Sequence, residues 1–187
     1  MQTLGALMGF FLLSGAAAAP SALADSPVPL PSYNVTLTAY NAVRSQTDED
    51  PFMTASGAYS NPEVVAARSQ DLADKLPFGT IIEIDGPDSP KNSCGYDAVS
   101  KHVGYRVIAD TMNARYTNYV DILFNTKTNY TLDDGSKKNA SSILGVCKGS
   151  TVRVVGFVDI SHPSHMPKTQ IELSALVKGD STLAINK

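Results

Sequence analysis

Alternating and apolar runs, separated by short polar segments, recur along the chain and predict a series of short strands. The first run, 33–43, alternates and is rich in β-branched and aromatic residues, a pattern typical of a half-buried strand. The other predicted strands are 64–67, 81–84, 105–109, 119–124 and 151–159. Six or seven short strands with only short helices predict a mainly β fold, a small barrel or sandwich.

Helical segments are few and short. Ser69 can cap a helical turn over 70–75, because its hydroxyl can satisfy a free N–H group. Asn139 can cap a helix over 140–146 that is followed by Gly149 at its end.

The remaining segments are rich in turn residues and are predicted as loops. A long one, 44–60, has little periodicity, and a loop of that length in a compact domain is usually functional or mobile. Residues 170–177 fit either a strand or a helix. The other predicted loops are 85–103, 125–139 and 161–168.

The amino-terminal end predicts export. Residues 4–19 are apolar but too short for a membrane span, and Ala22-Leu23-Ala24 is a small-x-small cleavage pattern. A cleaved secretory signal therefore predicts a secreted or periplasmic protein with no membrane attachment; an uncleaved anchor is the alternative. Prolines that follow predict an extended linker. The predicted division is a signal peptide at 1–24, a linker at 25–33, the β domain at 34–160 and a C-terminal extension at 161–187.

Composition narrows the classes of partner. The chain has 187 residues and a formal net charge of −3, so it offers no electrostatic reason to expect nucleic acid or anionic membrane as a partner. The part after the signal is long enough for one domain with a sizeable core, and we expect a monomer.

The chain contains two cysteines, Cys94 and Cys147. In an oxidising compartment their simplest use is one disulfide that closes a long loop and contributes roughly 3–4 kcal/mol. Two thiols without a clustered histidine cannot make a closed zinc site. The pair His162 and His165 has no carboxylate or cysteine beside it and is better explained as a surface loop. We therefore expect no metal and no cofactor.

Two aspartates stand where strands normally exclude them. Asp110 ends one apolar run and Asp121 lies in another, eleven positions later. Beside apolar neighbours a carboxyl group is desolvated, which raises its pKa, and a second carboxylate raises it further. A carboxylic acid that stays protonated near neutral pH can protonate a glycosidic oxygen. Alternatively, Asp110 caps the loop and Asp121 pairs with Arg115 or Arg106.

Several motifs resemble a known family. Leu76-Pro77-Phe78-Gly79-Thr80 is followed about thirty residues later by aspartates spaced as Asp-x₁₀-Asp. Together with Leu37-Thr38-Ala39-Tyr40, Gln46-Thr47-Asp48, Thr54-Ala55-Ser56-Gly57, Val65-Ala66-Ala67, Val107-Ile108-Ala109-Asp110-Thr111 and Val120-Asp121-Ile122-Leu123-Phe124, these residues resemble the three-aspartate (3D) domain group. That group belongs to the double-psi β-barrel proteins, and it includes lytic transglycosylase A and is related distantly to rare lipoprotein A and the expansins.

The resemblance implies a six-stranded double-psi barrel with one or two short helices and a groove that holds a glycan. In the transglycosylases of this group one aspartate acts first as acid and then as base on the MurNAc–GlcNAc link of peptidoglycan, and the substrate's C6 hydroxyl attacks to give a 1,6-anhydro product. By position in its strand, that role falls on Asp121, with Asp110 in support.

Three features depart from the family pattern. Arg68 follows Val65-Ala66-Ala67 where the first family aspartate is expected. The glycine-rich run after Asp110-Thr111 is replaced by Met112-Asn113-Ala114-Arg115-Tyr116, which cannot bring backbone N–H groups as close to a sugar. We also expect no counterpart of the extra domain that forms the second groove wall in the larger transglycosylases.

Polar and aromatic residues around the acids are candidates for glycan binding. We assign Tyr40, Asp48, Thr54, Ser56, Thr111, Asn113 and Arg115 to the substrate. Tyr40, Tyr59 and Tyr116 could stack on a sugar ring, although solvated loop polars and half-buried tyrosines explain the same residues equally well. The predicted function is peptidoglycan cleavage; the alternative is a non-catalytic carbohydrate-binding or wall-loosening protein.

Overall fold

The computed structural model describes residues 30–47, 50–88, 94–132 and 134–179. Within these residues the chain forms eight strands and three α-helices, together with three short 3₁₀ turns. The strands are β1 (Ser32–Asn41), β2 (Val65–Arg68), β3 (Thr80–Asp85), β4 (Arg106–Thr111), β5 (Tyr119–Phe124), β6 (Asn129–Thr131), β7 (Lys137–Asn139) and β8 (Cys147–Phe157). The helices are α1 (Tyr96–Val99), α2 (Ala140–Leu144) and α3 (Gln170–Lys178).

Six of the strands close into a barrel in the order β1-β5-β2-β4-β3-β8. The pairs β1–β5 and β2–β4 are parallel, and the other neighbouring pairs are antiparallel. Strands β6 and β7 form a separate antiparallel hairpin. The predicted mainly β, six-stranded barrel is therefore confirmed, and it carries one more short helix than expected.

Several barrel strands are buried on both faces. In β5, Val120 and Ile122 belong to the larger apolar cluster, whereas Leu123 belongs to a second cluster. Strand β4 divides in the same way, with Ile108 in the first cluster and Val107 in the second. The second cluster also includes Leu173 of α3. A strand covered on both faces has few polar positions, which explains the nearly continuous apolar runs in the sequence.

Some local predictions were wrong. Ser69 precedes a 3₁₀ turn (Gln70–Leu72), but its side chain does not cap that turn; its hydroxyl accepts a hydrogen bond from the Tyr119 N–H. Asn139 does cap α2, which ends at Leu144 with Gly145 as its C-cap. Gly149 lies inside β8.

The predicted loops contain more structure than expected. Segment 85–103 includes α1, and segment 125–139 includes the β6–β7 hairpin. Strand β1 begins at Ser32, inside the segment predicted as a linker. The signal peptide, most of the linker and residues 180–187 lie outside the described residues. Short strands and one-turn helices have weak sequence patterns, so tertiary contacts decide whether they form.

The C-terminal extension packs onto the barrel through α3. Thr169 caps this helix by accepting a hydrogen bond from the Glu172 N–H. The Gln170 side chain donates to the carbonyl groups of Glu63 and Tyr105 and accepts from the Tyr105 N–H. Segment 170–177 is thus helical. No helix in the described part of the chain is both long and apolar enough to cross a membrane.

The turn before β3 joins two sides of the barrel through Gly79. Its N–H donates to the Ile108 carbonyl at 2.8 Å, and its carbonyl accepts from the Val158 N–H at 2.9 Å. Gly79 has a φ of +94°, and a Cβ atom added there would lie 2.2 Å from the Val158 carbonyl oxygen. Both the backbone conformation and the close approach therefore require glycine.

Gly79→Ala should lower the free energy of unfolding by more than about 2 kcal/mol, because it adds a backbone clash to the strain of a positive φ. Gly57→Ala is the matched control, since Gly57 has a φ of +81° but nothing within 4 Å of an added Cβ. It should cost about 1 kcal/mol. Urea unfolding of both variants measures the difference, and equal losses would contradict the role of the close approach.

A disulfide joins Cys94 to Cys147 and confirms the predicted pairing. Cys94 precedes α1, whereas Cys147 is buried at the start of β8. The Gly95 N–H, next to the disulfide, donates to the Leu144 carbonyl at the end of α2. The bond therefore fastens the segment between β3 and β4 to the barrel.

Removal of this disulfide should lower stability by about 4 kcal/mol, the value that chain entropy gives for a closed loop of this length, since the cysteines are 53 positions apart. The Cys94→Ala/Cys147→Ala variant would be compared with the oxidised protein by urea unfolding. Reductant should destabilise the oxidised protein and leave the double variant unchanged. A loss below about 1 kcal/mol would show that the segment is already held without the bond.

Candidate functional site

A single row of residues crosses four adjacent strands of the barrel. Thr38 on β1 is paired with Asp121 on β5, and Asp121 is paired with Ala67 on β2. Ala67 is paired in turn with Asp110 on β4. The register between β2 and β4 shifts just before this pair, so that Ala109 has no partner on β2. Such irregularities re-aim side chains, and here the shift puts Asp110 in the same row as Asp121.

This row forms the floor of a groove with a volume of about 740 Å³. Its walls come from the loop after β1, the tip of the loop before β2, and the β4–β5 connection. The groove is lined by Thr38, Ala39, Tyr40, Ser45, Gln46, Thr47, Met53, Ala55, Ala67, Asp110, Thr111, Met112, Asn113, Arg115, Tyr116, Asp121 and Val146. Concave sites of this size hold small ligands or segments of a polymer.

Of the two acids on the groove floor, Asp121 accepts fewer hydrogen bonds from the protein. Its Oδ1 accepts one hydrogen bond, from the Thr38 hydroxyl at 2.9 Å. Among the described residues, no other donor reaches this carboxyl group and no cation forms an ion pair with it. Burial raises the pKa of Asp121 to about 7; the Thr38 hydrogen bond lowers it and the Asp110 charge raises it. At neutral pH Asp121 is therefore divided between its protonated and ionised forms.

Asp110 lies in a different environment. Its Oδ1 accepts from the N–H groups of Ala55 and Thr111, and its Oδ2 accepts from the Tyr40 hydroxyl, each at 2.9 Å. Burial, and then the Asp110 charge, raise the pKa of Tyr40 well above its usual value, so the phenol remains a donor. Asp110 is held as an acceptor on both oxygens, whereas Asp121 has an oxygen left for a ligand.

The alternative explanation, in which Asp110 caps the loop and Asp121 pairs with an arginine, holds for Asp110 alone. Asp110 does accept N–H bonds that fix the loop, as that explanation requires. Asp121 does not pair with either arginine. The Arg106 guanidinium is buried and donates to backbone carbonyls, and Arg115 lies over the Tyr116 ring with a hydrogen bond to its hydroxyl.

Arg68 occupies the position expected for a third acid, but it is not among the residues that line the groove. Its Nε donates to the Leu76 carbonyl at 2.9 Å, and its guanidinium lies 5.0 Å from the centre of the Phe78 ring. It is buried, and that burial lowers its pKa. Arg68 therefore anchors the Leu76–Thr80 turn, and its Nη1 also donates to the hydroxyl of Thr111, a groove-lining residue, at 3.4 Å.

The structure brings together part of the predicted binding set. Tyr40, Thr111, Asn113 and Arg115 line the groove. Thr54 and Ser56 do not: the Thr54 hydroxyl is directed to the Ala58 carbonyl and lies 3.0 Å from the Ser56 hydroxyl. Their role is to shape the loop tip that presents the Ala55 N–H to Asp110. Asp48 lies outside the described residues.

The tyrosines predicted to stack on a sugar ring differ in their access to the groove. Tyr40 is only 8% exposed, so its ring cannot stack on a ligand. Tyr59 is exposed but lies outside the groove lining. Tyr116 lines the groove and packs at 5.2 Å against Tyr119. Of the three, Tyr116 retains the predicted role.

Sequence reasoning missed Thr38, Ala67 and Gln46 as site residues. Thr38 and Ala67 are the strand partners of Asp121, and nothing in their local sequence gives the register of the barrel. Gln46 accepts from the Asn41 N–H at 2.7 Å and holds the loop at the groove wall. Gln46 belongs to Gln46-Thr47-Asp48, one of the motifs that carry the resemblance, and this was the signal that could have identified it.

Metal-binding groups are not concentrated in this site. Across the described ranges, no cluster of three or more His, Cys, Asp or Glu side chains could hold a metal ion. The His165 Nδ1 atom lies 4.0 Å from Oδ2 of Asp159, and the centres of the His162 and His165 rings are 5.2 Å apart. The polar groups of the groove in the described residues are thus carboxyl, hydroxyl and amide groups together with the Arg115 guanidinium.

Comparison of the chain with protein-family models and with curated proteins finds no match.

Asp121→Asn should stabilise the protein at alkaline pH. The pKa of Asp121 in the folded protein is about 7, whereas an aspartate in the unfolded chain titrates at about 4. The folded state therefore binds this proton more tightly than the unfolded state does. The stabilisation that comes from this tighter proton binding is complete below about pH 4 and is lost as pH rises to about 7. Above that pH the stability no longer changes with this group. Asparagine keeps the oxygen that accepts from Thr38 and removes the charge. The gain in unfolding free energy should reach as much as about 4 kcal/mol.

Urea unfolding of both proteins at about pH 8 and about pH 4 measures this effect. The low-pH pair is the control, because any cost of the substitution itself appears there as well. A stability difference that is the same at both pH values would contradict the raised pKa.

Proposed function

We propose that this protein is a secreted or periplasmic enzyme that cleaves peptidoglycan in the manner of a lytic transglycosylase, with Asp121 as its single acid and base. The observation that carries the proposal is the Asp121 carboxyl group, which faces the groove, accepts one hydrogen bond and has its pKa raised to about 7 by burial. A group with this pKa can both give and take a proton near neutral pH.

The reaction needs one carboxyl group. Protonated Asp121 gives its proton to the glycosidic oxygen as the C1–O bond of the sugar breaks. The Asp121 carboxylate then takes the proton of the C6 hydroxyl while O6 bonds to C1, which gives a 1,6-anhydro sugar and returns Asp121 to its starting state. Atoms balance without water, and the second half uses the same group in the reverse sense.

The hydrogen bonds of Asp110 support the assignment of Asp121 as the single acid and base. Its two oxygens accept three hydrogen bonds, so it is poorly placed to act as the nucleophile or base that a two-carboxylate glycosidase requires. Its charge raises the pKa of Asp121. We assign Asp110 the role of keeping Asp121 protonated and of fixing the Ala55 end of the groove wall.

The location proposed for the protein agrees with its covalent structure. A disulfide between Cys94 and Cys147 is typical of proteins outside the reducing cytosol. Export through the predicted signal at 1–24 remains part of the proposal.

A second candidate is a non-catalytic protein that binds or loosens wall glycan. The position of Arg68 favours it, because that side chain anchors a turn where a third acid is expected. A groove with polar walls and one accessible tyrosine, Tyr116, is sufficient for binding. Product release separates the two candidates.

Asp121→Asn should reduce the release of anhydro-muropeptides from murein sacculi by about 10²–10⁴-fold, the usual contribution of a positioned acid or base. Mass spectrometry of the soluble products measures this. Asp74→Asn, a change at an exposed carboxylate away from the groove, is the matched control. No product from the wild-type protein, with binding to sacculi that Asp121→Asn leaves intact, would favour the non-catalytic candidate.

The rate should fall as pH rises through about 7, because the first step needs protonated Asp121. Thr38→Val removes a hydrogen bond that lowers the pKa of Asp121, so the alkaline limb of kcat/KM should move to higher pH. The profile of product release against pH measures both effects. If Thr38→Val left the alkaline limb of the pH profile unchanged, the group that titrates there would be one other than Asp121.

A further inference from the structure

A second cavity, of about 500 Å³, lies at the opposite end of the barrel from the groove. Arg106 begins β4 and Asp110 lies four residues further along that strand, a separation of roughly 13 Å for an extended chain. The cavity is bounded by the residues before β2, the turn before β4, the β6–β7 hairpin and the first residue of α3. It is therefore a separate site, and the proposed glycan chemistry does not use it.

Arg106 is the buried cation of this cavity. It is 1% exposed, yet it lines the cavity wall. Its guanidinium donates to the carbonyl groups of Val103, Pro62, Leu123 and His102 at 2.6–3.2 Å. Four of its five N–H groups are used in this way, and the remaining one, on Nη2, has no acceptor among the described residues.

Carbonyl groups satisfy hydrogen bonds but do not neutralise a charge. Within the described ranges no carboxylate forms an ion pair with Arg106, and burial lowers its pKa to about 10. A buried charge without a counterion is costly. An anion that entered the cavity would recover part of that cost, because attraction is stronger where water is excluded.

The other walls of the cavity favour an anion with a flat apolar part. Lys101 adds a second cation, and the rings of His102 and Tyr130 lie 4.4 Å apart at their centres. Phe124 lines the cavity and faces the Arg106 guanidinium at 5.5 Å. Glu63, whose Oε1 accepts from the Gln170 N–H, is the one acid in the lining.

We infer that this cavity is a binding site for a small carboxylate ligand with a planar ring, held by the charges of Arg106 and Lys101 and by the His102 and Tyr130 rings. The carboxylate lies on the cationic side of the cavity, and the ring lies against the aromatic side chains. The site is independent of Asp121.

Titration of the full-length, oxidised protein with benzoate tests the inference, with amide NMR shifts as the readout. Benzoate should produce saturable shifts at Gly104 and Asn125, which line the cavity, and leave the amides of the groove unchanged. Inorganic phosphate should bind more weakly, since it lacks the ring. Phosphate binding without benzoate binding would overturn the proposal, and so would shifts that do not saturate or that spread over the surface.

Two variants at the cavity mouth should act in opposite directions. Lys101→Gln removes a cation and should weaken benzoate binding about threefold to tenfold. Glu63→Gln removes the acid, keeps the oxygen that accepts from Gln170, and should strengthen binding by a similar factor. Both residues are exposed, so neither change endangers the fold as a substitution of Arg106 would. Lys148→Gln, at an exposed lysine outside the cavity, is the control. Equal affinities for all three variants would overturn the inference.

Discussion

The parallel pairing of β1 with β5 is the constraint on which the barrel and its groove both depend. It closes the barrel, because β1 joins β5 on one side and β8 on the other. The same pairing places Thr38 directly opposite Asp121. An acid in the middle of such a strand cannot move away from its neighbours without opening the barrel, so its environment is set by the fold itself. That rigidity is what a preorganised acid requires.

Two aspartates of the same chain acquire different properties from their surroundings. Asp110 accepts three hydrogen bonds, two of them from backbone N–H groups. Asp121 accepts one, from Thr38, and burial raises its pKa. Environments that differentiate two carboxyl groups are how one site obtains both a fixed charge and a transferable proton. Ala67, between them in the row, has a side chain too small to fill the space above it.

Supporting residues around the groove hold its loops. Arg68 binds the Leu76 carbonyl and covers the Phe78 ring, and Gly79 connects the same turn to β4 and to the end of β8. At the other wall, the Ala55 N–H binds Asp110 directly. The resemblance predicted an acid at position 68, and here Arg68 supports the scaffold instead. The groove floor consequently carries two acids, and the proposed chemistry uses one.

Local sequence patterns predicted the mainly β class, the location of all six barrel strands within a few residues and the disulfide, and they singled out the two strand aspartates as candidates for a site. These follow from local periodicity, cysteine count and the rarity of Asp in strands. Tertiary structure decided what lies beside those aspartates. Strand order and register are long-range properties, so Thr38 and Ala67 could not be identified from local patterns. For the same reason, the sequence did not show that Thr54 lies outside the groove lining. The role of Asp121 depends on desolvation and neighbouring charge, which exist only once the barrel has closed.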